Sequence, residues 1–199
     1  MKISQVYHGP YLPNAGGGVS VYVRNISERL ARRGHDVTVF AINSGGLPSF
    51  EVVNGVKVER FMRFAPGGAY FFSWDMLLRL KKAEFDVVHG HCYGAFPMHF
   101  SIVAKRKKLV ISTHFGGGGG SVFRNSVIRL LKPLGRRSLL KADKIVAVSV
   151  FEKSLLVKEF KFDPDKIVVI PCGVNLSAFK AIRKHKRNFR SILHVSSKL

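Results

Sequence analysis

Apolar and polar positions alternate with two different periods along this chain. Short apolar runs rich in Val and Ile recur at Lys2–Tyr7 (KISQVY), Val37–Ile42 (VTVFAI), Asp86–His91 (DVVHGH), Lys108–His114 (KLVISTH), Asp143–Ser149 (DKIVAVS) and Asp165–Pro171 (DKIVVIP). Each has strand length, and the near-continuous apolar character is that of strands covered on both faces. Between them, apolar residues step by three and four. Val19, Tyr22, Val23, Ile26 and Leu30 line one side of a helix predicted over Val19–Arg33, with Gly34 closing it. Further helices are predicted over Phe96–Lys107, Ser121–Lys141 (with a kink at Pro133) and Val150–Phe160. In Phe50–Phe61, Asn54-Gly55 separates two short β runs, a strong hairpin signal. The alternation predicts an α/β fold: a doubly wound, mainly parallel Rossmann-like sheet with a β-hairpin insertion.

Composition supports a packed core. The 199 residues are 46% hydrophobic and 11% aromatic. No apolar run approaches the roughly 20 residues of a membrane span, and the N-terminus has no signal-peptide pattern, so a soluble cytoplasmic protein is expected. Cys92 and Cys172 are too few and too distant for a disulfide framework or a zinc site, and are read as two buried reduced thiols. Charge changes the picture more. Lys and Arg number 33 against 12 acids, a net +21, which implies an anionic partner: nucleic acid, an anionic membrane surface or a phosphorylated substrate. No RNP-like aromatic pair, zinc finger or basic helix-turn-helix is visible, so nucleic acid is not expected.

The glycines opening the first helix raise the question of a dinucleotide fingerprint. Gly16 and Gly18 fit its first two positions, but the third is Val21, and Asn43 and Ser44 stand where an acidic residue would follow the second strand. What survives is physical: glycines at a helix N-terminus let a ligand approach backbone N–H groups and the positive end of the helix dipole.

Six stretches in order resemble family-4 retaining glycosyltransferases of the GT-B fold. They are GGGVSVYVRNISERLARRGHDVTVF, FDVVHGH, VISTHF, ADKIVAVSVFEKSLLV, KIVVIPCGVNLSAF and SILHVSSKL, and together they span nearly the whole chain. The resemblance implies two Rossmann-like domains facing across a cleft, the first binding mainly the acceptor and the second holding a nucleotide-sugar. It divides this chain into an acceptor-side domain (1–179), a basic interdomain linker (180–190) and the first strand of a C-terminal donor domain (191–199). Taken as a lone element, that last strand could also complete the existing sheet. Asn175 stands where the family has Asp, and Ser197 about where an Arg is common. With the donor half absent, the chain alone is expected to be inactive. The implied reaction moves a sugar from a nucleotide-sugar, a co-substrate, to an acceptor with retention, using no metal or other cofactor. The alternative is a stand-alone module that binds an anionic ligand or a separate donor domain.

The resemblance places His114 in the cleft as the candidate catalytic residue, able to hydrogen-bond a sugar hydroxyl or steady developing charge. Gly16, Gly17 and Gly18 would admit the diphosphate or acceptor. His89 and His91 are read as lying on opposite faces of their strand and so as a poor chelating pair. His91, nearer the tip, is assigned to the cleft wall and His89 to core packing. Gly116, first of the five glycines after Phe115, belongs either to a mobile loop over the acceptor or to a spacer. Ser149 either caps the following helix or faces the cleft. Ser121–Lys141 mixes apolar and basic residues, either as a helix packed on the sheet with a solvated basic face or as one lying on an anionic membrane. The resemblance implies a sugar acceptor, phosphorylated or lipid-linked, and the membrane reading of this helix would add a peripheral membrane contact.

Overall fold

The computed structural model describes residues 1–13, 17–43, 45–64, 72–117 and 122–173. Gly16, Asn175, Ser197, the basic segment 180–190 and the terminal run 191–199 lie outside the described residues.

Among the described residues, eight strands form one sheet: β1 (Lys2–Val6), β2 (Asp36–Asn43), β3 (Phe50–Val53), β4 (Val56–Met62), β5 (Glu84–His91), β6 (Lys105–Ser112), β7 (Lys144–Ala147) and β8 (Ile167–Val169). Their order is β3-β4-β2-β1-β5-β6-β7-β8. Every neighbouring pair is parallel except β3 and β4. That antiparallel pair is the hairpin expected at Asn54-Gly55. Both turn residues have positive φ, 49° and 80°, the twist a two-residue hairpin needs.

Five helices among the described residues connect the strands: α1 (Gly18–Arg32), α2 (Trp74–Lys82), α3 (Phe96–Phe100), α4 (Val122–Lys141) and α5 (Val150–Phe160). The alternation of β2 shows how they are layered. Val37, Val39 and Ala41 belong to the apolar cluster beneath α1 with Tyr22 and Val23. Phe40 and Ile42, one residue out of step, belong to the larger cluster with Met76 and Leu80 of α2, Met98 of α3, Leu139 of α4 and Leu156 of α5. One helix thus covers one face and four cover the other. Burying each large side chain of these clusters contributes about 1.5–3 kcal/mol. α1 ends as its sequence predicts: Gly34, at φ 82°, donates to Ala31, and His35 donates to Leu30, the paired bonds of a left-handed glycine stop.

Three elements differ from the expectation. The helix predicted over Phe96–Lys107 is only α3 plus a 3-10 turn at Ser101–Val103, because β6 begins at Lys105. The charged run Lys105–Lys108 is the exposed entry of a strand, held by cross-strand charge: Lys107 pairs with Asp86 at 2.7 Å and Lys108 with Asp143 at 3.0 Å. The strand expected over Asp165–Pro171 is shortened to β8, because Pro164–Lys166 forms a 3-10 turn capped by Asp163. Finally, α2 was not predicted, although Ser73 caps it by accepting from the Met76 N–H and Asp75 sits in its first turn. α4 runs from Val122 to Lys141 with Pro133 inside it.

Candidate functional site

The strand order reverses beside β1. The chain leaves β1 for β2 on one side, while β5 to β8 are added on the other. Connections leaving the carboxyl ends of β1 and β5 therefore diverge, and open α/β sheets bind ligands in the crevice this creates. Tyr7 and His8 follow β1, His91 ends β5, Ser112, Thr113 and His114 come at the end of β6, and Ser149 follows β7. α1 begins at this edge. Its cap, Gly17 (φ 103°), offers no side-chain hydrogen bond, and its first turn carries no acid. Its dipole is thus left uncompensated from within the helix.

Beneath the tips lies a buried polar cluster. The His89 and His91 ring centroids are 4.1 Å apart. The opposite-face reading is therefore wrong: with a strand period of two, residues i and i+2 share a face, here the α1 face. His91 is also fully buried, so it forms no cleft wall. Its Nε2 donates to the Gln5 Oε1 at 2.6 Å. His89 Nε2 and the Ser112 hydroxyl are 2.8 Å apart, and Ser112 lies 3.3 Å from the Tyr22 hydroxyl. Among the described residues no group of three or more His, Cys, Asp or Glu is arranged to hold a metal ion. Burial keeps these imidazoles neutral. It pushes His8 down to about 4 and His89 to about 3, and holds His91 well below the ordinary histidine range.

His114 differs from them. It is half-buried and sits at φ 46°, a conformation uncommon outside glycine. Its ring meets Tyr22 edge-on at 4.9 Å and lies 6.1 Å from His91. Its Nε2 is buried without a hydrogen-bond partner among the described residues. Burial lowers its pKa, and the charge of Glu152 pulls it partly back.

Glu152 was not singled out in the sequence. Only 2% exposed, it accepts from the Thr113 hydroxyl, the Phe115 N–H at 2.5 Å and the Val148 N–H at 2.6 Å. The carboxylate thereby ties the residues on either side of His114 to the turn entering α5. A signal was present: Ser149 and Glu152 have the spacing of a capping box. Ser149 caps α5, accepting from the Glu152 N–H at 3.1 Å. Glu152, however, reaches back one residue beyond the usual partner, to Val148. Of the remaining candidates, Gly17 and Gly18 lie at the α1 terminus. Gly116 is exposed, with no atom within 4 Å of where a side chain would start.

The sequence profile described as Glycosyltransferase Family 4 matches residues 16–178. The chain belongs to this family. It is 27% identical to an uncharacterized glycosyltransferase of Methanocaldococcus jannaschii over 98% of its length and 52% of the relative's. It is 29% identical to a D-inositol 3-phosphate glycosyltransferase of Kineococcus radiotolerans over 82% of its length and 42% of the relative's. The chain thus spans about half the length of these relatives. Among solved structures, it is similar to a sucrose-phosphate synthase of Thermosynechococcus elongatus, with a TM-score of 0.61 and 18% identity, covering 88% of this chain and 49% of that one. A glycosyltransferase of Rickettsia africae gives 0.53 and 21%, with 93% and 46% covered. These likenesses carry the fold: a single domain of the GT-B type. The crevice described above is the carboxyl edge of that family-4 domain.

Proposed function

We propose that this domain is the acceptor side of a retaining glycosyltransferase, in which a nucleotide-sugar donor bound by a second domain gives its sugar to an acceptor held at the crevice. The observation that carries the reading is His114. A buried imidazole nitrogen without a partner costs about 1–3 kcal/mol, a cost that a sugar hydroxyl reaching it removes. Beside it, the α1 N-terminus, with Gly17 and Gly18 bare of side chains, suits a phosphate. No metal or further cofactor is needed for hydrogen bonds of this kind to steady charge on the transferred sugar.

A phosphorylated or lipid-linked acceptor accords with the net charge of +21. It also fits relatives named D-inositol 3-phosphate glycosyltransferase. Release of nucleoside diphosphate by the full gene product, across a panel of nucleotide-sugars and acceptors, tests the proposal. His114→Ala lowers turnover by about 10²-fold or more, the usual effect of losing one preorganised donor. Unchanged turnover overturns the role given to His114. Binding of an anionic acceptor without any turnover supports the module reading instead.

A further inference from the structure

We infer that Glu152 is a positioning residue for His114: its carboxylate fixes the Thr113–Phe115 turn so that the imidazole is presented at the crevice. The inference rests on the reading of His114 given above. The residues on both sides of His114 are held by one buried carboxylate, through the Thr113 hydroxyl and the Phe115 N–H. The same carboxylate anchors itself to β7's exit through the Val148 N–H. His114 stays at φ 46°, a conformation that local chain preferences do not favour and that surrounding contacts must impose. Glu152 makes polar contacts on both flanks, beside Tyr93, whose N–H donates to the Thr113 carbonyl at 2.7 Å and whose ring meets Phe115 at 5.2 Å. All three of its donors are N–H or O–H groups, so only a carboxylate, with two accepting oxygens, satisfies them together.

Electrostatics adds to geometry. The groups facing His114 are Tyr22 from α1, His8 after β1, His89 and His91 from β5, and Glu152 from α5. Three of these are neutral imidazoles and one is a phenol. Glu152 is therefore the negative charge in this set, and it favours a proton on His114.

The test is an NMR titration of the histidine ring carbons in this chain. In Glu152→Gln, His114 titrates at lower pH than in the wild type, and the Phe115 amide exchanges faster. Glu152→Asp, which keeps the charge, restores the His114 titration at least in part. His114 titrating alike in wild type and Glu152→Gln overturns the inference. If Glu152→Gln does not fold, Thr113→Val removes one of the three donors while keeping the side-chain shape. Faster exchange at Phe115 then supports the clamp, and unchanged exchange overturns it. In the full gene product, the positioning role lowers kcat in Glu152→Gln while the donor KM holds; a fall that tracks lost folded protein overturns it. Unchanged turnover in His114→Ala would remove the role proposed for His114 yet leave the titration result standing, so the two failures are separable.

Discussion

The Tyr22 ring stands edge-on to the His114 imidazole, with centroids 4.9 Å apart and planes at 81°. This contact joins α1, which brings the glycine-capped terminus, to the tip of β6. Tyr22 is 8% exposed. Tyr22→Phe keeps the ring and gives up the hydroxyl's 3.3 Å approach to Ser112, so it costs at most about 1 kcal/mol. Tyr22→Ala opens a cavity between α1 and the sheet and costs about 3–5 kcal/mol. Urea midpoints of the two variants check the difference. Equal midpoints would mean the ring is not packed as described.

The histidines make the fold sensitive to acid in a defined window. Burial lowers His8 and His99 to about 4 and His89 to about 3, with His91 and His114 also depressed. Above about pH 6.5 these groups are neutral in both folded and unfolded chains and contribute no pH dependence. Below it, the unfolded chain takes up protons that the fold refuses, down to about pH 4 at His8 and His99 and about pH 3 at His89. Stability therefore falls as pH falls through that window, by up to about 1.4 kcal/mol per pH unit for each such histidine. The carboxylates of Asp86, Asp143 and Glu159 act later. They are held low by Lys107, by the Leu109 N–H and by Lys132 respectively, so their effect begins only as the carboxylate range is entered. The urea midpoint drops steadily between pH 6.5 and 4.5. A flat profile there contradicts the buried cluster.

Arg60 fastens the loop that leads from β1 toward α1. Its side chain is fully buried and its guanidinium donates to the carbonyls of Pro10 at 2.7 Å, Tyr11 at 3.0 Å and Pro48 at 3.1 Å, besides pairing with Glu51. A lysine cannot span this set, since its single ammonium lacks the planar fork. Arg60→Lys thus leaves buried acceptors and a carboxylate short of partners and costs about 3 kcal/mol. A thermal midpoint within a degree or two of wild type would show that the loop does not depend on Arg60.

The fold was legible because strands covered on both faces write themselves as Val/Ile runs. Asn54-Gly55 and Gly34 are positions where a left-handed backbone demands those residues. What was not legible depends on tertiary neighbours. The Lys105–Lys108 run looks like the end of a helix until Asp86 and Asp143 are seen beside it. His89 and His91 were misplaced by a fault of periodicity, not by any want of signal. Their burial against Gln5 and Ser112 could not be read from the strand alone. Glu152 was hidden because its donors, Thr113 and Phe115, lie nearly forty residues upstream. Only the parallel pairing of β6 and β7 brings that strand exit beside the turn entering α5.

α4 presents apolar and basic side chains together to solvent. Leu130 is 79% exposed, and Leu134 and Leu140 are also exposed, among exposed Arg129, Arg136, Arg137 and Lys141. Helical spacing puts Leu130, Leu134, Arg137 and Lys141 on one row. No helix among the described residues is long and apolar enough to cross a membrane. Leucines would enter the acyl boundary while the arginines meet anionic headgroups. If this face meets an anionic membrane, the expected outcome is co-sedimentation with vesicles containing phosphatidylglycerol and much less with neutral phosphatidylcholine. Leu130→Glu with Leu134→Glu weakens the association severalfold at any salt concentration. Arg137→Gln weakens it mainly at low salt, where unscreened charge counts most. Binding to neutral and anionic vesicles alike, or binding indifferent to the leucine substitutions, rules out this face as the contact. Binding that is transferred to DNA and disappears with salt points instead to a sequence-independent attraction for polyanions.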